Sequence, residues 1–502
     1  MRLSPFSPAL PLAALAALLA GCTAGPNYAG PPDVAGPAAA APGFARAGDI
    51  PLAPGEAPVR WWTALGDPVL DGLVDQALAA NPNVAVAAAR LRQSRAAFRL
   101  ERANQAPNVN ASAVYAHARI PGLDLGAASG EGGEASGDGK SADGATDINL
   151  YNLGFDASWE IDLFGGRRRT IEAARAQAAA AEADLADAQV SLAAEVAQNY
   201  VNLRDRQQRL ALNIEAVAKQ EQMLALSRQR YERGTASRLD VTRLQSQLDA
   251  TRADVVPLRA ELESYQDALA TLTGQAPGAL DPLLAPPRPL PLPPARVAVG
   301  DPAALLRRRP DIRAAERTLA AQTARIGTAE AARFPRISFM GLIGIGGTSL
   351  GDLTRLDDFA AIAAPQLSWT FLDFGRNRAR VTQAEAARDE AEARYRGAVL
   401  AALQDADGAL SRFRYRRAAV ATLARSKAAA DEALALSAQR YRAGTATLID
   451  LLDAERQQIA AAQRLSIAQA GLTTDFVAIQ KALGLGWAPA TGADGAAAAA
   501  KG

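Results

Sequence analysis

The sequence predicts a mainly α chain with a small β part, built as two structural repeats. Three observations point there. Apolar residues make up 49% and aromatics only 5%, with Ala, Arg, Leu and Gln prominent, a profile that favours long helices over a sandwich or mixed sheet. The stretch ALSRQRYERGTASRLD (Ala225 to Asp240) returns 210 positions later as ALSAQRYRAGTATLID (Ala435 to Asp450), identical at ten of sixteen positions. Tyr151 to Asp162 alternates between apolar and polar side chains, the period of a strand with two unlike faces.

The elements follow in order. Arg2 precedes a 12-residue apolar run, Ala9 to Ala20, too short for a stop-transfer helix and typical of a signal peptide. Leu19-Ala20-Gly21-Cys22 resembles the bacterial lipobox, which implies cleavage before Cys22 and acylation of its sulfur. Residues 1–21 are then a lipoprotein signal peptide, and 22–60 a lipid-anchored N-terminal segment. Thr23 stands where Asp would resemble an inner-membrane retention signal, so the outer membrane is the expected address.

The first repeat, 61–275, should contain helix 82–105, strands 107–119 and 148–163, and helices 167–232 and 237–274. The second, 301–487, should contain helix 310–333, strands 336–347 and 359–373, and helices 376–442 and 447–484. The offset of 210 pairs Trp159 with Trp369 and Gly165 with Gly375. An offset of 228 pairs Pro82 with Pro310 and Pro107 with Pro335. The difference is absorbed by the Gly/Ser/Asp-rich stretch Gly126 to Asp147, read as a surface loop. A Pro-rich linker, 276–300, joins the repeats and should be extended, and the Ala-rich tail 488–502 is expected to be disordered.

Each long helix, at about 1.5 Å per residue, reaches roughly 100 Å. The short and medium helices of a repeat together match that length, so they should stack end to end beside it. Gly234 and Gly444 supply the left-handed residue that ends a helix. Ser237-x-x-Asp240 and Thr447-x-x-Asp450 resemble capping boxes with Asp in place of Glu. Pro257, inside the first medium helix, should kink or loosen it.

In the second strand, Tyr151, Leu153, Phe155, Ala157, Trp159 and Ile161 share one face, and Asn152, Asp156, Ser158 and Glu160 the other. A membrane β-barrel with a wet lumen has this pattern, and so does a strand half-buried on a soluble core. The other strands alternate less well. Four strands per chain cannot close a barrel, and an open edge is not tolerated in lipid. Two chains give eight strands, an interior normally filled by side chains, whereas three give twelve and an aqueous passage.

Much chemistry is excluded. The charges, 54 basic against 53 acidic, leave a net +1 and no electrostatic case for nucleic acid. Cys22 is the one cysteine and His117 the one histidine, so disulfide frameworks and most metal clusters are out, and no cofactor or metal is expected. Gly347-Thr-Ser-Leu-Gly351 matches the nucleophile-elbow pattern but falls between two strands rather than between strand and helix. The chain is not expected to be an enzyme.

Longer stretches carry a family resemblance: Cys22 to Tyr28 (CTAGPNY), Trp61 to Pro68 (WWTALGDP), Leu153 to Gly166 (LGFDASWEIDLFGG), Leu306 to Ile312 (LRRRPDI), Phe371 to Arg376 (FLDFGR) and Lys481 to Trp487 (KALGLGW). Together they resemble the bacterial outer-membrane efflux proteins, the TolC-like outer membrane factors, and most of all their lipoprotein branch. The resemblance implies a homotrimer: a 12-stranded membrane β-barrel, four strands per chain, joined to a periplasmic helical barrel that opens when a periplasmic adaptor protein and an inner-membrane efflux transporter engage it. It implies that Gly234, Thr235, Ala236 and Ser237, with Gly444, Thr445, Ala446 and Thr447, face the adaptor. It also implies that Asp450, Asp453 and Arg456 narrow the periplasmic mouth. The repeat separates these residues. Asp240 occupies the position of Asp450, so a capping role explains both, whereas Asp453 pairs with Arg243 and is not demanded by the turn. A solvated Asp453–Arg456 pair on a helix face remains open. The expected function is an exit duct for small solutes; a type I protein-secretion channel or a non-conducting lipoprotein stalk are the alternatives.

Overall fold

The computed structural model describes residues 23–36, 41, 43–48, 50–51, 58–121, 145–354, 357 and 359–487. The expected signal peptide, Cys22, the tail and most of the Gly/Ser/Asp-rich stretch lie outside the described residues. The chain forms helices α1 (Pro68–Ala80) and α2 (Pro82–Ala103), strands β1 (Asn108–Pro121) and β2 (Ala145–Ile161), then helices α3 (Gly166–Glu232) and α4 (Arg238–Leu272). After short turns α5 (Asp281–Leu284) and α6 (Pro302–Arg308) come α7 (Pro310–Ala331), β3 (Arg336–Gly347), β4 (Phe359–Ser368), α8 (Arg376–Arg442) and α9 (Leu448–Ala482). The repeat is exact in length where it matters: α3 and α8 have 67 residues each, and α4 and α9 have 35 each.

Two compact units result, and each draws on both repeats. One takes its residues from Met1–Gly30, Ser94–Ala178 and Thr318–Ala391; the other from Pro31–Gln93, Ala179–Arg317 and Glu392–Gly502. The repeats meet in both units: β2 pairs with β3 in the first, and in the second Leu224, Leu244 and Leu248 are buried with Leu448.

In the first unit the described strands form one antiparallel sheet in the order β1-β2-β3-β4. Beneath it the helix ends approach closely through small residues. Ala176, Ala320 and Ala321 are buried together with Tyr28 beside them, and Phe164 stacks on Phe334 with centroids 4.6 Å apart. The repeat shows here too: Trp159 Nε1 donates to Gln105 O at 2.9 Å, and Trp369 Nε1 to Arg333 O at 3.1 Å. β4 ends at Ser368 rather than 373, because Ser368 faces Arg336, the first residue of β3, and beyond it no partner backbone remains.

The second unit holds the main core. Trp61 lies edge-on to Trp62 and Phe476, at 5.7 and 6.2 Å, amid Leu70, Leu269, Leu284, Phe413 and Val477. Its helix α1 goes beyond the elements predicted from sequence, although its start is marked: Asp67 accepts from Val69 N at 2.9 Å and Pro68 opens the helix. The expected end-to-end stacking holds at both junctions. Asn81 caps α2, accepting from Asn83 N at 2.8 Å, and its amide donates to Leu272 O at the end of α4, also at 2.8 Å. At the matching place Arg309 donates to Ala482 O at 3.1 Å, at the end of α9. A Cβ at Gly274 would sit 2.6 Å from Ala80 O, so glycine is required by contact as well as by its positive φ.

Two local expectations gain detail. α4 runs unbroken through Pro257, whose ring costs one backbone hydrogen bond without ending the helix. The Pro-rich linker has little regular structure but is pinned rather than loose. Pro291 O accepts from Thr473 Oγ1 at 2.7 Å, Pro286 O from the buried Arg204 at 2.9 Å, and Val297 N donates to Pro51 O at 3.0 Å. Among the described residues no helix is long and apolar enough to cross a membrane.

Candidate functional site

The sheet has two unlike sides. Directly opposed residues share a face, so the register tells which side chains lie together. Phe155 stands between Ala111 and Ile343, Leu153 between Ala113 and Ile345, and Trp159 beside Phe339. Ile345 in turn faces Phe359, Ile343 faces Ala361, and Phe339 faces Pro365. One side of all four strands is thus apolar between a row at Tyr115–Tyr151 and a row at Trp159–Phe339. The strands that alternate poorly in sequence still complete this face, because Ala and Gly occupy its gaps.

Most residues on this face are exposed, Phe155 at 58%, and nothing among the described residues covers them. The opposite side carries Asn110, Asn152, Asp156, Ser158 and Glu160, with Val114, Met340 and Ile362 among them, and Asn110 Nδ2 donates to Asp156 at 3.0 Å. Beyond the tyrosines the apolar side turns polar: Tyr115 donates to Asn149 at 3.2 Å, and His117 Nδ1 lies 2.9 Å from the same oxygen. His117 is therefore a rim residue on a strand. Eight residues from Tyr151 to Trp159 span about 27 Å along the strand. At a tilt of about 40° that is about 20 Å, near the apolar band of roughly 25 Å in outer-membrane barrels. The outer edges of β1 and β4 have no partner strand among the described residues.

At the foot of the same sheet an N-terminal strap is clamped. Ala24 N donates to Phe164 O at 2.9 Å, and the buried Arg169 reaches Ala24 O and Gly25 O, both at 3.1 Å, and Asn27 Oδ1 at 2.7 Å. Thr23 rests against Gly165, where a Cβ would lie 2.8 Å from Thr23 Cγ2. Sequence reasoning missed Arg169, since its partners lie about 145 residues away.

In the second unit the two hairpin tips are built alike. After α3, Thr235 N bonds to Arg230 O at 2.8 Å and Gly234 N to Tyr231 O at 2.9 Å. After α8, Thr445 N bonds to Arg440 O at 2.9 Å and Gly444 N to Tyr441 O at 3.0 Å. Both are Schellman closures, and both glycines have φ 73°. Both capping boxes are present. Asp240 N donates to Ser237 Oγ at 3.1 Å and Asp450 N to Thr447 Oγ1 at 3.2 Å, and each aspartate accepts from its cap residue's own N–H. The tips touch: Arg230 Nη1 donates to the Tyr441 hydroxyl at 3.3 Å, above a cluster of Leu224, Leu244, Leu248 and Leu448. Ala236 and Ala446 complete the two exposed turns.

The three charged residues of the expected mouth differ in their local bonding. The Thr447 hydroxyl, and then its backbone N–H, hold the Asp450 carboxyl below the usual carboxylate range, so this carboxylate is engaged in the turn. Asp453 and Arg456 form an exposed i,i+3 pair at 3.1 Å. Two residues on, Glu455 is buried, a feature the sequence alone did not flag. Among the described residues no group of His, Cys, Asp or Glu could hold a metal ion. The Ser349 hydroxyl, the nucleophile of the apparent elbow, instead donates to Asp352 at 2.7 Å within a turn.

Comparison with known proteins agrees with this geometry. The profile described as outer membrane efflux protein matches residues 73–275 and 302–485. Nodulation protein T of Rhizobium leguminosarum bv. trifolii is 31% identical over 459 residues, 91% of each chain. Outer membrane protein OprJ of Pseudomonas aeruginosa is 32% identical over 447 residues, 85% of this chain and 86% of that one. The solved structure of the outer-membrane channel OprN superposes with a TM-score of 0.83 at 36% identity, covering 93% of this chain and all of that one. With a mainly helical chain, two repeats and one four-stranded sheet, the fold is that of the TolC-like channels, and the chain belongs to the outer membrane efflux protein family.

Proposed function

We propose that this chain is the outer-membrane exit duct of a tripartite efflux pump, passing small solutes from a periplasmic adaptor and an inner-membrane transporter to the exterior. The observation that carries this reading is the apolar face running unbroken across four strands whose outer edges lack partner strands among the described residues. Lipid fits that face, and only further copies of the same sheet can satisfy the edges without a second protein. Three chains give twelve strands and an open lumen, and hence a homotrimer. The reading needs no catalytic chemistry, since a duct lowers a barrier by offering a wet path. The efflux assignment of the family favours it over the protein-secretion alternative.

Anchoring in the outer membrane through acylated Cys22 belongs to the same proposal. Its support is that Thr23, the next residue in sequence, rests against Gly165 at the foot of the sheet, and Ala24 N donates to Phe164 O. The tips Gly234 to Ser237 and Gly444 to Thr447 are the surfaces for the adaptor, being exposed and rigidly closed. Asp453, with Arg456 beside it, forms the ring at the periplasmic mouth. Three carboxylates brought together by threefold symmetry attract cations and resist the passage of anions.

Planar-bilayer recording of the purified protein tests the whole reading, with discrete conductance steps and threefold particles as the expected result. Asp453→Ala should raise the conductance, whereas Arg243→Asp at the matching position should leave it unchanged. A silent bilayer together with monomeric particles would refute the duct, and an unchanged Asp453→Ala trace would remove the gate alone.

A further inference from the structure

Between α3, α8 and α9 in the second unit lies a groove of about 490 Å³, well within the range of small-molecule sites. Its walls are mostly apolar: Leu212, Met223 and Leu226 from α3, Leu451 and Ile459 from α9. Into this setting the chain places one carboxylate, Glu455, only 7% exposed, whose Oε2 has no hydrogen-bond partner among the described residues. An uncompensated buried carboxylate is costly, and the repeat shows that the fold does not ask for it. The matching residue of the first repeat is Gln245, which is half-buried and bonded to Arg228 at 2.7 Å and Asp249 at 3.0 Å.

The other charges lining the groove already cancel. Glu215 and Lys219 pair with each other at 2.6 Å, and α8 contributes no charged side chain to the lining. Beside the groove, Gln458 donates to Asp431, which is itself neutralised by Lys427 at 2.7 Å. One unbalanced negative charge is left among apolar walls.

We infer that this groove binds a small lipophilic cation, an organic ammonium or phosphonium, with the Glu455 carboxylate as its counter-ion and the leucine and methionine faces as its walls. Charge complementarity selects the class. An apolar neutral molecule would leave the carboxylate unpaired, and a hydrated metal ion would exchange its water shell for a single unpaired carboxylate among mostly apolar walls. Occupancy would bridge the hairpin of the first repeat to that of the second. Burial raises the Glu455 pKa against the smaller opposing effect of Lys219, so acid should neutralise the counter-ion and weaken binding.

The test is equilibrium dialysis of the full-length protein in maltoside detergent with tetraphenylphosphonium, using triphenylphosphine oxide as the neutral control. Saturable binding near one per chain is expected, weakened at least tenfold by Glu455→Gln and by Ala438→Trp, which fills the groove without altering its charge. The neutral control should not distinguish wild type from Glu455→Gln. Absence of saturable binding, or equal affinity in the Glu455→Gln protein, would overturn the site. If a lysine-bearing helical peptide binds in a Glu455-dependent way while the phosphonium does not saturate, the occupant is a protein helix and the small-cation assignment falls. None of these readouts uses conductance, so the site stands or falls separately from the duct.

Discussion

Placing a charge on the apolar side of the sheet gives the sharpest test of its orientation. Phe155 lies four residues from Tyr151 and four from Trp159, midway along the apolar band. Four residues at about 3.3 Å, tilted by about 40°, put it roughly 10 Å from either aromatic row, beyond easy reach of water for a snorkelling side chain. Arginine at such a depth costs about 2–4 kcal/mol per chain, or about 6–12 kcal/mol in a threefold assembly. Asp156 is the next residue at nearly the same depth but on the other side, where Asn110 is its partner. Asp156→Arg should cost only that hydrogen bond, about 1 kcal/mol. The assay is urea-dependent folding into lipid vesicles, followed by protease protection and conductance. Phe155→Arg should abolish or greatly reduce insertion, and Asp156→Arg should insert with altered ion selectivity. Equal insertion of both variants would refute the two-faced reading.

Three further perturbations probe the helical parts. Thr447→Ala should cost about 1 kcal/mol through loss of the cap, measured as faster amide exchange at residues 448–451. Because the Asp450 pKa is lowered by Thr447, this tip's stabilisation is present above the ordinary carboxylate pKa and lost as pH falls through the depressed value, and the alanine variant, which keeps only the backbone N–H donor, should show a weaker pH dependence. Glu455→Met should stabilise the protein by about 1–3 kcal/mol at neutral pH in the absence of a ligand. Its pKa is raised, so the penalty of burial vanishes below the unfolded pKa and is complete above the folded one. The thermal shift between Glu455→Met and wild type should therefore shrink in acid. Arg169→Ala should release the strap at residues 24–27, with a local loss on the order of 3 kcal/mol, seen as at least tenfold faster proteolysis there while the cores of both units persist.

By itself the sequence determined the features whose cause is local. Gly234 and Gly444 end helices because their own backbone enters the left-handed region. Ser237 and Thr447 start helices because an aspartate three residues on completes the box. The twofold repetition was legible because identical local signals recur at a fixed offset, and the alternation of β2 because its faces differ residue by residue. The tertiary structure decided what depends on neighbours distant in sequence. Only the strand register shows that Ala111, Ile343 and Ala361 extend the face of Phe155, since Ala and Gly carry no polarity signal of their own. Asp67-Pro68 could have announced α1, but Arg169 and Glu455 read as ordinary surface charges. What makes one a clamp and the other a buried lone carboxylate is the chain packed against them, and burial is a property of the fold that no short window of residues contains.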